Sequence, residues 1–212
     1  MNNSYFISYS SVDGKDLALK IHKSFSHRRP KINLWIDKLN QIDGRSWDIQ
    51  IRNAIRDCDG LIFIMTKDSV EECSGCYDEW TLALKYKKSI IPLLASNDIE
   101  APFRLHQRQY IDFTGDFDKA VSRLYQHLQW LNSPEGEYQR LKDQLSDAKR
   151  DLRRAATPEE ETRISNEIEL LVQDIERQEA LILKRDELVK INQNKIELSI
   201  ERERLLVSNS RV

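Results

Sequence analysis

Residues 73–80 read Cys-Ser-Gly-Cys-Tyr-Asp-Glu-Trp. Two thiols in a C-x-x-C spacing stand beside two adjacent carboxylates, Asp78 and Glu79. Three chemistries suit such residues: metal binding, dithiol exchange, or electrostatic work by a carboxylate. A structural zinc needs four ligands. The chain has one further cysteine, Cys58, and its four histidines (22, 27, 106 and 127) have no ligand spacing, so no metal is expected. A dithiol site wants its C-x-x-C at the start of a helix after a strand. That context is loosely met, but the flanking residues do not resemble a thioredoxin, and a buried thiol pair is the plainer reading. The carboxylates remain. On a helix covering 76–86, Trp80, Ala83 and Leu84 share a face, with Glu79 at its edge beside Ala83 and Tyr86. A glutamate so placed is by default a surface acid; a position beyond a strand's carboxyl end argues for more.

Other site chemistries find no support. There is no G-x-S-x-G elbow and no Walker-type glycine loop. Gly14 and Gly44 read as turn residues.

The elements that must position these residues follow from hydrophobic spacing. Apolar runs at "SYFISYS", "INLWID", "GLIFIMT", "SIIPLLA" and "QYIDFT" read as five strands. Helical spacing runs through "KDLALKIHKSF", "WDIQIRNAIRDC", "EWTLALKYKK" and "DFDKAVSRLYQHLQWL". "GLIFIMT" is continuously apolar, as strands buried on both faces of a parallel sheet are. Strands alternating with helices predict an α/β fold with one five-stranded parallel sheet, and ligands in such folds bind beyond the strands' carboxyl ends.

The rest of the chain is built differently. All four tryptophans and all six phenylalanines precede residue 131; the last glycine is Gly136 and the last aromatic Tyr138. The boundary is placed at "NSPEG", giving domains 1–133 and 134–212. Tyr138, Leu141, Leu145, Ala148, Leu152 and Ala155 step by 3, 4, 3, 4 and 3, a heptad seam. At Thr157-Pro158 a good N-cap and a first-turn proline open a new helix. The expectation is an antiparallel helical hairpin, or coiled coil, with helices at about 137–156 and 158–206, the second ~70 Å long. Its seam degrades beyond Ile182, at Arg185, Asn192 and Ser199, and a single hairpin leaves apolar surface for a partner to cover.

The totals exclude several classes. The 212 residues carry a net charge of -2 with 32% charged residues, so direct nucleic-acid binding is not expected. No apolar run is long enough for a membrane span, and the first residues lack a signal-peptide pattern. Three cysteines, an odd count, argue against a disulfide framework, and a cytoplasmic location is expected.

Six segments then carry a resemblance: "FISYSSVD" (6–13), "LWID" (34–37) with its loop through Gly44 and Trp47, "AIRDCDGLIFIMTKDSV" (54–70), "CYDEW" (76–80), "IIPLL" (90–94) and "QYIDF" (109–113). In this order they resemble the Toll/interleukin receptor (TIR) domain, over residues 4 to 131. The resemblance implies a flavodoxin-like sheet. Many animal TIR domains are scaffolds; bacterial, plant and axonal ones are often NAD glycohydrolases or cyclases with a glutamate in a C-x-x-E pattern after the third strand. Cys76 and Glu79 match it. The resemblance therefore implies Glu79 as the catalytic residue, Cys76 shaping the pocket, and Tyr9, Ser10, Ser11, Trp35, Asp37 and Trp47 lining a site for NAD+ as substrate, with no cofactor. Some relatives carry arginine where this chain has Ser10, so no phosphate contact is named. It further implies that neighbouring TIR domains complete the site and that loop 38–47 rearranges. Self-association through TIR and helical regions, a sensor domain or partner protein, and a setting in prokaryotic antiviral defence complete the expectations. The alternatives are a non-catalytic TIR adaptor and an effector that blocks host TIR signalling.

Overall fold

The computed structural model describes residues 3–36, 47–106 and 108–209, with backbone alone for Trp47 and 201–209. The chain divides into two compact units, 1–129 and 130–212.

In the first unit five strands, β1 (Ser4–Ser8), β2 (Asn33–Trp35), β3 (Gly60–Met65), β4 (Ser89–Leu94) and β5 (Ile111–Asp112), form one sheet in the order β2-β1-β3-β4-β5. Every pairing is parallel. Parallel neighbours require crossovers: α1 (Lys15–Ser26), α2 (Trp47–Asp57) and α3 (Gly75–Lys85) lie in the first three, no helix is found between β4 and β5 among the described residues, and α4 (Phe117–Leu131) follows β5. β3 is the central strand and all six of its residues are buried, which is why its sequence shows no polar alternation. The expected "INLWID" and "QYIDFT" strands shorten to three and two residues. Both lie at the sheet's edges, where one side has no strand to pair with.

Side chains alternate across the sheet. Phe6, Leu61, Phe63 and Met65 join Ile51, Ile55 and Cys58 from the α2 side and Cys76, Trp80 and Ala83 from α3 in one core cluster. Phe25 of α1 meets Tyr125 of α4 edge-on at 5.4 Å, and the Tyr125 hydroxyl donates to the Pro30 carbonyl at 2.7 Å.

The second unit contains the hairpin, α5 (Pro134–Leu152) and α6 (Pro158–Asn209). The Tyr138 hydroxyl donates to Glu179 at 2.5 Å, Gln178 donates to the Pro134 carbonyl at 3.0 Å, and Arg185 pairs with Glu135. Residues at the start of α5 thus meet residues twenty or more positions into α6, the antiparallel sense that a short connection imposes. Leu141 and Ala148 of α5 and Ile164 of α6 are buried. α5 starts three residues before the expected position because Ser133 caps it, its hydroxyl accepting from the Gly136 amide at 3.2 Å, with Pro134 in the first turn. Among the described residues no helix is long and apolar enough to cross a membrane.

Candidate active site

Glu79 is held by α3, and α3 is anchored to the carboxyl end of β3. Ser74 is its N-cap: the hydroxyl accepts from the Tyr77 amide at 3.3 Å and donates to the Ser69 carbonyl at 3.0 Å. Ser69, fully buried, accepts from the Thr66 amide at 2.7 Å and donates to the Ile64 carbonyl at 2.8 Å. Thr66 donates to Asp13 at 2.5 Å, and the Asp68 amide donates to the same carboxylate at 3.1 Å. The loops after β1 and β3 are therefore laced together, and the first turn of α3 is fixed to them. A charged acceptor makes such hydrogen bonds stronger than neutral ones.

Between α2 and α3 lies an open cavity of about 500 Å³ lined by Asp48, Ile51, Arg52, Gly75, Asp78, Glu79, Leu82, Lys85 and Tyr86. The α3 residues recur at helical spacing, so one stripe of the helix forms a wall. Asp48, Ile51 and Arg52 form the opposing stripe on α2. Glu79 is half-buried at its edge while Trp80 and Ala83 face the core. Ile51 and Leu82 are apolar members of a lining that is otherwise mostly charged or polar.

Cys76 is buried, and burial pushes its thiol up to about 12, with the charge of Glu79 adding to the effect and the Ser8 hydroxyl opposing it. Asp68 and Asp13 raise it further. A thiol so held is protonated at neutral pH, which removes it as a nucleophile or redox partner. Cys73 is exposed, and all three cysteines are free. Among the described residues no cluster of His, Cys, Asp and Glu could hold a metal ion.

The other residues named from sequence fall into distinct places. Ser10 is buried, its hydroxyl donating to Asp68 at 2.6 Å and accepting from the Val12 amide at 3.0 Å, so it serves the loop network. Tyr9 is buried and Ser11 exposed. Trp35 stacks on Phe6 with ring centroids 4.8 Å apart and packs against the core cluster that contains Cys76. Asp37 and the side chain of Trp47 lie outside the described residues. Of the predicted set, Glu79 alone lines the cavity among the described residues. Sequence reasoning missed Asp48, Arg52, Lys85 and Tyr86. Their helical spacing, 48/52 and 79/82/86, was the available signal, but which face of α2 meets α3 depends on the sheet order.

With this geometry in view, comparison places the chain. A family model described as TIR domain matches residues 6–125, more than half the chain. The chain belongs to the TIR domain family. No curated protein matched it. Among solved structures, it is similar to the TIR domains of the activated Roq1 resistosome that recognises the pathogen effector XopQ: 13% identity, covering 59% of this chain and 98% of that one, TM-score 0.50. The TIR domain of the Toll-related receptor TRR-2 from Hydra magnipapillata matches at 20% identity over 59% of this chain and 97% of the other, TM-score 0.49. A prokaryotic SEFIR domain matches at 22% identity over 60% and 98%, TM-score 0.46. At 13% identity the likeness to the Roq1 domains is one of fold.

Proposed function

We propose that this chain is a NAD+ glycohydrolase whose TIR domain cleaves the bond between nicotinamide and ribose. The observation that carries the reading is Glu79: it stands in a C-x-x-E spacing on the helix after the central strand and lines the cavity between α2 and α3. The reaction suits a single carboxylate. Nicotinamide is bound to ribose as a cation and leaves as a neutral molecule, taking the bonding electron pair. No general acid is needed, in contrast to ordinary glycosides with their paired carboxylates. What the protein must supply is orientation of the ribose and stabilisation of an oxocarbenium-like charge. Glu79 accepts hydrogen bonds from ribose hydroxyls and faces the developing positive charge. Water, or a group of the adenine ring, then captures the ribosyl carbon, giving a hydrolase or an ADP-ribosyl cyclase. Cys76, uncharged and buried in the core three residues before Glu79, packs α3 without entering the chemistry.

Self-association through the TIR domain and the hairpin belongs to this reading, as do activation by clustering, a sensor or partner protein, a cytoplasmic location and a role in prokaryotic antiviral defence. A second reading, a non-catalytic TIR adaptor, is favoured by one observation. Phe103 is 95% exposed on the first unit. A fully exposed aromatic ring is a common feature of docking surfaces.

The two readings separate on Glu79→Gln. The variant keeps the volume of the side chain and loses its charge. The expected outcome is nicotinamide release reduced at least about 100-fold, with an unchanged thermal transition. Full turnover in a folded variant removes the assignment.

A further inference from the structure

The cavity holding Glu79 raises an electrostatic question. Its walls carry three acids, Asp48, Asp78 and Glu79, yet the proposed substrate is a dianionic dinucleotide at its pyrophosphate. Asp48 and Asp78 repel such a group unless cations offset them. Ser10, where some TIR domains carry arginine, offers a hydroxyl already committed to Asp68. Two cations do line the cavity, Arg52 on α2 and Lys85 on α3. Among the described residues neither forms an ion pair or hydrogen bond, although other arginines of the chain do, Arg56 with Asp57 on the same helix among them.

We propose that Arg52 and Lys85 bind the pyrophosphate of the dinucleotide, which lies along α3 with its nicotinamide ribose at Glu79 and its adenosine end toward Tyr86. This rests on the glycohydrolase reading of the same cavity. The distances are set by the helix. Gly75 and Tyr86 both line the cavity, and eleven residues at 1.5 Å span about 16 Å, room for an extended dinucleotide. Lys85 lies six residues beyond Glu79, about 9 Å along the axis, and helical side chains lean toward the amino end. That lean brings the ammonium toward a phosphate joined to the ribose through a single methylene carbon. Arg52 faces the same stretch from α2, and its fork of donors matches phosphate oxygens bidentately. Tyr86, half-buried at the far end, offers a ring face to adenine.

The test uses the full chain with three ligands: ADP-ribose and inorganic pyrophosphate by calorimetry, and nicotinamide riboside, which has no phosphate, as an alternative substrate. The variants are Arg52→Gln, Lys85→Gln, the double variant, and Arg56→Gln as a control on the same helix outside the cavity. Removing each cation is expected to weaken ADP-ribose about tenfold, with a matching rise in KM for NAD+ and little change in kcat. Pyrophosphate affinity falls in parallel, while turnover of nicotinamide riboside and all properties of Arg56→Gln stay unchanged. Undetectable ADP-ribose binding by the wild type, or a double variant binding it within twofold of wild type, overturns the proposal. The glycohydrolase reading fails separately. If the wild type binds ADP-ribose through these two cations but releases no nicotinamide, the anion site stands and the catalytic assignment falls.

Discussion

Cys76 and Glu79 lie three residues apart on α3 and are treated oppositely by their surroundings. Cys76 turns into the core and is held protonated; Glu79 lies at the boundary and lines the cavity. Burial raises the thiol by penalising its charged form, and the neighbouring carboxylate adds repulsion. A group raised in the folded state keeps its stabilising contribution below the unfolded value near 9 and loses it as pH climbs toward about 12. At pH 8, therefore, maleimide labelling is expected to modify Cys73 fast and to leave Cys76 and Cys58 unmodified until the protein unfolds. Burial raises the Cys58 thiol as well. Rapid labelling of two or three thiols in the native protein contradicts this account. The residue scale is also where the sequence was least sufficient. Glu79 could be named because its spacing matches a family pattern. Arg52 and Lys85 could not: a lone cation on an amphipathic helix reads as solvated surface, and only the packing of α2 beside α3 puts the two on one cavity.

At the scale of elements, the strands were legible because a strand buried on both faces must be continuously apolar, and β3 is. The edge strands were overestimated, since an apolar run does not reveal how many backbone groups find a partner. The two hairpin helices show how capping decides boundaries. Thr157-Pro158 and Ser133-Pro134 are the same signal, a capping hydroxyl followed by proline. The first fixed the start of α6 correctly. The second opens α5 at Pro134, ahead of the heptad seam that begins at Tyr138. Its first turn also requires Gly136, where a Cβ would meet the Trp130 carbonyl oxygen at 2.0 Å and Leu131 Cα at 2.7 Å. Both obstacles are backbone and cannot swing aside. Gly136→Ala is expected to cost about 1–3 kcal/mol or more through forced displacement, read as a lower denaturation midpoint. A midpoint equal to wild type means that the α4–α5 junction does not hold this approach.

At the scale of the molecule, two units with different construction share one chain. The first has its own aromatic-rich core, and the second is a hairpin whose longer helix continues beyond its partner. Leu181, Leu188, Val189, Ile191, Ile196, Leu198 and Ile200 are all exposed along that helix. Exposed apolar side chains favour association, and linking TIR domains through this helix raises their local concentration. Truncation after residue 133 is therefore expected to preserve a cooperative thermal transition for the TIR unit, because that unit's core lies within 1–129. It is also expected to shift any concentration-dependent activity to higher protein concentration. Identical concentration curves for the two lengths separate the hairpin from the activity. The measurement that bears most directly on the central claim is nicotinamide release from NAD+ by the full chain over a series of protein concentrations, run beside Glu79→Gln. The account predicts release that rises more steeply than linearly with concentration and vanishes in the folded variant. Equal release from Glu79→Gln, or none from the wild type even when clustered, contradicts it.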